Sequence, residues 1–263
     1  MFETIRIETD DRGVATLPLA RPDKHNALSG DMTVELAVAA AQLNADPKVR
    51  AVILTGEGAS FCAGGDLGWM QLQMGATREG RMEEAMKFAR MLGALNSMDK
   101  PLIGKINGQA FGGGIGMMSV CDVAVAAQGA RFGLTEVRLG LIPATISPYV
   151  VARMGEARAR RVFFSARLFE AEEAVELGLA AKAVAPEDLD AAVEAEVKPY
   201  LAAAPEAVAA SKRLVRMLGP RIDEDLMAET AKRLADTWET ASAVEGIAAF
   251  IEKRRAVWPG LDG

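Results

Sequence analysis

The sequence predicts an α/β fold, with βαβ-type units first and a helical tail second. Three observations carry that reading. Compact apolar runs at 51–56, 102–106 and 123–126 have the length and the bounding turns of buried strands. Two glycine-containing turns follow apolar segments, Gly64-Gly65 and Gly112-Gly113-Gly114, the second opening a stretch of helical character through Val120. From Pro186 onward the chain is alanine-rich and almost wholly helical in pattern.

The elements follow in order. Residues 2–8 alternate, with Phe2, Ile5 and Ile7 against polar neighbours, and 14–19 follow after a turn containing Gly13. This reads as a hairpin, with Pro18 placing its second strand near an edge or near its own end because proline cannot donate to the ladder. Residues 21–28 form a loop, Ser29 is an N-cap, and Met32 to Leu43 read as an amphipathic helix stopped at Asp46-Pro47. Trp69, Met70, Leu72 and Met74 crowd the segment 68–75, as core filler or as the wall of an apolar pocket. Arg81 to Ser97 is helical. Beyond Glu136 comes an apolar loop to Pro143, continued to Met154, then helices at 156–164 and 170–177, the latter stopped by Gly178. Residues 181–184 make a last short strand, and helices follow at 187–202, 205–218, 222–239 and 242–255.

Composition excludes several classes. The 263 residues suit one large domain, or a domain with a helical extension. A net charge of −6 argues against nucleic-acid binding. Two cysteines, Cys62 and Cys121, imply no disulfide framework and fit a reducing compartment. The first residues lack the basic and apolar regions of a secretory leader, and no apolar run is long enough to cross a bilayer, so a cytoplasmic protein without membrane contact is expected. The single histidine, His25, has no Cys/His cluster around it, so no metal site is expected, and no G-x-S-x-G elbow exists to pair with it.

The chemistry points to the two turns and to one carboxylate. Two converging backbone N–H groups stabilise an oxyanion by about 3–4 kcal/mol per donor. Gly65 and Gly113 are candidate donors, because a bare backbone permits close approach; tight packing is the plainer reading of the same glycines. Glu136 follows some twenty residues after the second turn as the candidate acid/base.

Taken together, Phe61-Cys62-Ala63-Gly64-Gly65-Asp66-Leu67, Ile106-Asn107-Gly108-Gln109-Ala110-Phe111-Gly112-Gly113-Gly114, Cys121-Asp122, Phe132-Gly133-Leu134-Thr135-Glu136 and Leu139-Gly140-Leu141-Ile142-Pro143 resemble the crotonase (enoyl-CoA hydratase/isomerase) family. Arg21-Pro22, Lys24, Asn26-Ala27-Leu28 and Phe250 to Arg254 fit as well, so the resemblance spans nearly the whole chain. It implies a ClpP/crotonase-like fold of repeated ββα units: a catalytic core over 1–200 and a helical trimerisation region over 201–263. It implies a homotrimer or dimer of trimers, and an acyl-CoA thioester as substrate with no separate cofactor. The thioester carbonyl would sit between the N–H groups of Gly65 and Gly113, giving an enolate. Lys24, Ala27, Ala63, Asp66 and Leu67 would contact CoA, and Phe250 and Lys253 would reach the CoA of a neighbouring subunit. Solvated charges at Lys24 and Lys253, and a helix cap at Asp66, are the plainer alternatives.

One position departs from the pattern. Hydratases of the family carry a first glutamate where this chain has Gly116, so Glu136 stands alone. Either Glu136 both activates water and delivers the α-proton, or it shuttles a proton between carbons as in the family's isomerases. The text from Thr135 to Val150 resembles bacterial methylglutaconyl-CoA hydratases, which favours hydration, of 3-methylglutaconyl-CoA in leucine breakdown. Arg131 and Arg138 are candidates for that substrate's free carboxylate, with a solvated surface role as the alternative. A non-catalytic CoA-binding or RNA-binding relative is disfavoured by Glu136, the intact turns and the net charge. Thioester hydrolysis or dehalogenation lacks a nucleophile.

Overall fold

A computed structural model describes residues 2–260. A short hairpin opens the chain: β1 (Glu8–Thr9) runs antiparallel to β2 (Val14–Leu19). Helix α1 (Gly30–Ala45) follows, with the Ser29 side chain accepting the N–H of Met32 as its N-cap. Three ββα turns then wind one after another. They comprise β3 (Ala51–Gly56), β4 (Ser60–Cys62), α2 (Leu67–Gly75) and α3 (Arg78–Ser97); then β5 (Leu102–Ile106), β6 (Gln109–Phe111) and α4 (Gly113–Val120); then β7 (Val123–Ala127) and β8 (Arg131–Gly133), a 3₁₀ turn over Glu136–Leu139, α5 (Ser147–Met154) and α6 (Glu156–Phe163). The chain continues through β9 (Phe169–Glu170), α7 (Ala171–Glu176) and β10 (Lys182–Val184) into α8 (Leu189–Ala202), α9 (Pro205–Leu218), α10 (Glu224–Trp238) and α11 (Ala241–Ile251).

In each turn of the spiral the first strand joins one sheet and the second joins another. The larger sheet has the order β1-β2-β3-β5-β7-β10, and the smaller β4-β6-β8-β9. All pairings in the larger sheet except β1–β2 are parallel, which explains the near-continuous apolar runs of β3, β5 and β7: both faces are covered. The main core lies between this sheet and α1, α3 and α4, with Leu17, Met32, Leu92, Ile106 and Met117 wholly buried. A second cluster packs α8 against the opposite face through Val193 and Val197.

Pro18 is the penultimate residue of β2, the strand next to the edge strand β1, and it pairs with Thr55 of β3. Its carbonyl accepts the N–H of Arg6, so the missing N–H faces the β1 side, where that strand contributes only two paired residues. The strand expected over 2–8 accordingly shrinks to β1 and a single bridge from Ile5 to Leu19. The C-terminal helices fall close to expectation, although the last one ends at Ile251 and Lys253 turns out of it with φ of 56°. Asp122 anchors this tail: it accepts the N–H of Leu102 at 2.7 Å and pairs with Lys212 of α9.

Candidate active site

The loop over 21–28 and the turn over 63–67 lie side by side. Leu28 forms a parallel bridge with Gly65, and Ala63 donates to the His25 carbonyl at 2.9 Å. Two motif residues fasten the loop. Buried Asn26 donates to the carbonyls of Glu57 and Ser60 at 2.9 and 2.8 Å. Arg21 donates to the Ala27 carbonyl and to Asp66 at 2.7 and 2.9 Å. Asp66 also accepts the N–H groups of Gly68 and Trp69, capping α2. Its helix-cap reading therefore holds, and the Arg21 guanidinium and these N–H groups keep its carboxyl below the usual range against the opposing cost of burial. We expect Asp66→Ala to cost about 1–2 kcal/mol through the lost cap, read as a lower melting temperature. Lys24 and Leu67 are exposed beside this seam.

The same seam frees one amide. The Gly64 carbonyl and the Asp66 N–H both bond Leu28, so the alternation of an extended chain turns the Gly65 N–H to the other side, and no backbone acceptor takes it among the described residues. Gly113 is the first residue of α4, where an N–H has no partner within the helix. A side chain at 113 would crowd its neighbours, since a Cβ there would stand 2.4 Å from Leu28 Cδ1 and 3.0 Å from Phe88 Cζ. Both glycines line one cavity of about 150 Å³, and Glu136 lines it with them.

Glu136 opens the 3₁₀ turn after β8. The residue is only partly covered, but its carboxyl is sequestered: Oε2 is buried with no hydrogen-bond partner. Burial pushes the carboxyl up to about 7, with a small opposing effect from its own backbone N–H. Oε1 would stand 2.9 Å from a Cβ on Gly112, whose φ of 47° also favours glycine. That carboxyl can thus take up or release a proton near neutrality.

The remaining walls come from distant parts of the chain. Trp69 and Met70 of α2, Phe88 of α3 and Leu234 and Trp238 of α10 enclose the space. Of the methionines crowding 68–75, Met70 is buried in this wall while Met74 is exposed. Helix α11 clasps the 3₁₀ turn by close backbone approach: a Cβ at Gly246 would stand 2.5 Å from the Leu139 carbonyl carbon, and one at Gly140 2.4 Å from Ser242. Helix α10 is therefore part of the cavity wall, and α11 supports the turn that carries Glu136. Glu84 of α3 also lines the cavity, paired with Lys87. No lysine or arginine lines it among the described residues, and Arg131 and Arg138 stand outside it, as do Phe250 and Lys253, both exposed. Glu84, Phe88, Leu234 and Trp238 escaped sequence reading, because their helices show only ordinary apolar faces. We expect Trp238→Ala to widen the cavity and to cost about 3–5 kcal/mol, measured by denaturant titration.

At Gly116 the departure has a physical partner. A Cβ there would stand 2.5 Å from Ile146 Cγ2 and 3.5 Å from Leu92 Cδ1. Ile146 thus fills the space that a side chain at 116 would need.

A spiral of ββα turns carrying helical segments at its C-terminal end is the crotonase class of fold. The chain matches the enoyl-CoA hydratase/isomerase family over residues 9–260. It is 34% identical to a crotonyl-CoA hydratase of Syntrophomonas wolfei, over 97% of each chain. It is also 34% identical to a short-chain-enoyl-CoA hydratase of Clostridium acetobutylicum, over 92% of each. A solved enoyl-CoA hydratase from Shewanella pealeana superposes with a TM-score of 0.81 at 35% identity, covering 98% of this chain and 97% of its own. This chain belongs to the enoyl-CoA hydratase/isomerase family.

Proposed function

We propose that this protein adds water across the double bond of a short α,β-unsaturated acyl-CoA, with Glu136 as the sole acid/base. The carrying observation is that a buried, unpartnered carboxyl with a pKa raised to about 7 shares one cavity with two glycines whose N–H groups lack backbone acceptors. In this reading the Glu136 carboxylate takes a proton from water as the water oxygen bonds to Cβ. The electron pair moves to the thioester oxygen, held by the N–H groups of Gly65 and Gly113. The carboxylic acid so formed then returns the proton to Cα and the thioester carbonyl re-forms. One group serves both steps because its affinity for the proton lies near neutrality. The CoA thioester is the substrate, and these steps call for no further cofactor. The forward reaction needs the ionised form, so kcat/KM is expected to climb as pH rises through about 7 and to level above it.

CoA would lie along the seam, with Lys24, Ala27, Ala63 and Leu67 beside it. Asp66 would act by holding the shape of the turn, since its carboxyl is engaged by Arg21 and the α2 N-terminus. The named hydratases among the relatives support the reaction type. On the acyl group, sequence resemblance points to 3-methylglutaconyl-CoA, whereas the cavity lining holds two carboxylates, no cation and mostly apolar side chains. A free carboxylate buried there would be unpaired, so the lining outweighs the resemblance and an uncharged acyl group is preferred. The empty first-glutamate position supports a second reading, double-bond isomerisation by Glu136 alone.

Conjugated-thioester absorbance tests all of these. Loss with crotonyl-CoA, faster than with 3-methylglutaconyl-CoA, is the expected result. A gain with a 3-enoyl-CoA and no loss with crotonyl-CoA would favour the isomerase. Assembly as a homotrimer or dimer of trimers is supported by α9, which buries none of its residues and exposes Leu214, Val215, Met217 and Leu218. Light scattering should then report at least three chains, and a monomer would contradict it.

A further inference from the structure

A hydratase with one carboxylate needs something else to hold its water, and the cavity contains an unengaged acceptor besides Glu136. Gly112 and Gly116 are one turn apart, so they share a face at the start of α4. The Glu136 carboxyl covers the first and Ile146 covers the second. Thr145 directly precedes Ile146, is 7% exposed and lines the cavity with Glu136. The buried threonines Thr4, Thr33, Thr55 and Thr230 each donate their hydroxyl to a carboxylate or carbonyl oxygen. The Thr145 hydroxyl makes no such bond among the described residues, yet it is not among the fully sequestered atoms, so it keeps contact with the open space. Among the other polar lining groups, Ser29 caps α1, Thr33 bonds the Ser29 carbonyl, Glu84 pairs with Lys87, and the Trp238 indole N–H, a donor only, cannot accept a hydrogen from water. A hydroxyl that faces the cavity and bonds no protein group is free to bond what enters there.

We infer that the Thr145 hydroxyl is the second holder of the attacking water. This inference rests on the hydratase reading above. The water donates one hydrogen to the Glu136 carboxylate and the other to Thr145 Oγ1, which leaves an oxygen lone pair for Cβ. Thr145 is a positioning residue: it takes no proton, and all proton transfer stays with Glu136. The tripeptide Thr145-Ile146-Ser147 then explains how this chain works without a first glutamate. Ile146 closes the space where that carboxylate would stand, and its neighbour supplies a neutral hydrogen-bonding group in its place.

Two variants of the full chain separate hydroxyl from shape. Thr145→Val keeps the shape and loses the hydroxyl, while Thr145→Ser keeps the hydroxyl. Two reactions are followed: hydration of crotonyl-CoA, and exchange of the α-protons of butyryl-CoA with deuterated solvent, which uses Glu136 but adds no water. Thr145→Val is expected to lower kcat for hydration by about 10-fold or more, with KM and α-exchange little changed, and Thr145→Ser to restore most of the rate. A Thr145→Val enzyme that hydrates at the parental rate would overturn the inference alone. So would an equal fall in hydration and exchange, which would mark Thr145 as structural. A parent protein that exchanges α-protons without hydrating, or does neither, would overturn both this inference and the hydratase reading.

Discussion

Glu136→Gln is expected to abolish hydration and at the same time to stabilise the protein above neutral pH. The rate should fall by about 10³-fold or more, because glutamine has the shape of the acid but carries no transferable proton. The stability effect follows from linkage. The folded carboxyl titrates at about 7 and the ordinary value is 4.5, so between these values the folded state binds the proton more tightly than the unfolded chain. That contribution is complete below the ordinary value and is lost as pH rises through about 7. Over the window it amounts to about 3 kcal/mol, since one unit is worth about 1.4. Glutamine, always neutral, loses nothing. Thermal melts should therefore nearly coincide around pH 5 and separate around pH 8, with the variant higher by roughly 5–10 °C. CoA binding should persist. A variant that melts with the parent at both pH values would mean that the carboxyl is solvated, and retained turnover would remove it from the reaction.

Gly116→Glu is expected to damage folding before it changes chemistry. Restoring the family's first glutamate looks conservative in sequence, but even its Cβ would stand 2.5 Å from Ile146 Cγ2. Overpacking costs about 1–3 kcal/mol, and a second carboxylate facing Glu136 in a buried space adds to it. A fall in melting temperature of roughly 5 °C or more should result. The paired change Gly116→Glu with Ile146→Gly removes both Ile146 atoms that stand closest, at 2.5 and 3.1 Å. Its destabilisation should fall short of the sum of the two single changes by about 2 kcal/mol, the signature of residues in contact. Simple additivity would show that 116 and 146 do not share a space. Activity measured in the paired variant then reports what a first glutamate adds once it fits.

Much of this architecture could be read from local pattern. Runs such as Ala51–Gly56 and Leu102–Ile106 carry their own signal because both faces of a central parallel strand are buried. Caps at Ser29 and Asp66 follow from side chains that can reach a free N–H, and the helix starts lie where those residues predict. Pro18 was legible as well: a residue without an N–H falls next to the end of β2, beside the edge strand. In the site, Gly65, Gly113 and Glu136 were legible by resemblance, and they do line one cavity. The roles of Arg21 and Asn26 as fasteners were hidden, since their partners Asp66 and Ser60 lie across a loop. Trp238 and Leu234 were hidden for a similar reason: they belong to a tail helix whose packing along α3 no spacing announces. The contact between Gly116 and Ile146 joins residues thirty positions apart, and only coordinates show that the lost side chain and the gained one occupy one volume.

The central claim is that one thioester oxygen is gripped by the amides of residues 65 and 113 while a single acid faces the adjoining carbons. A crystal structure with a non-reactive acyl-CoA bound tests it most directly. The account predicts the thioester oxygen at about 2.7–3.1 Å from both the Gly65 and the Gly113 nitrogens, with the Glu136 carboxyl in reach of Cα and Cβ. An oxygen bound away from either nitrogen, or an acyl chain turned so that Glu136 faces neither carbon, would contradict it.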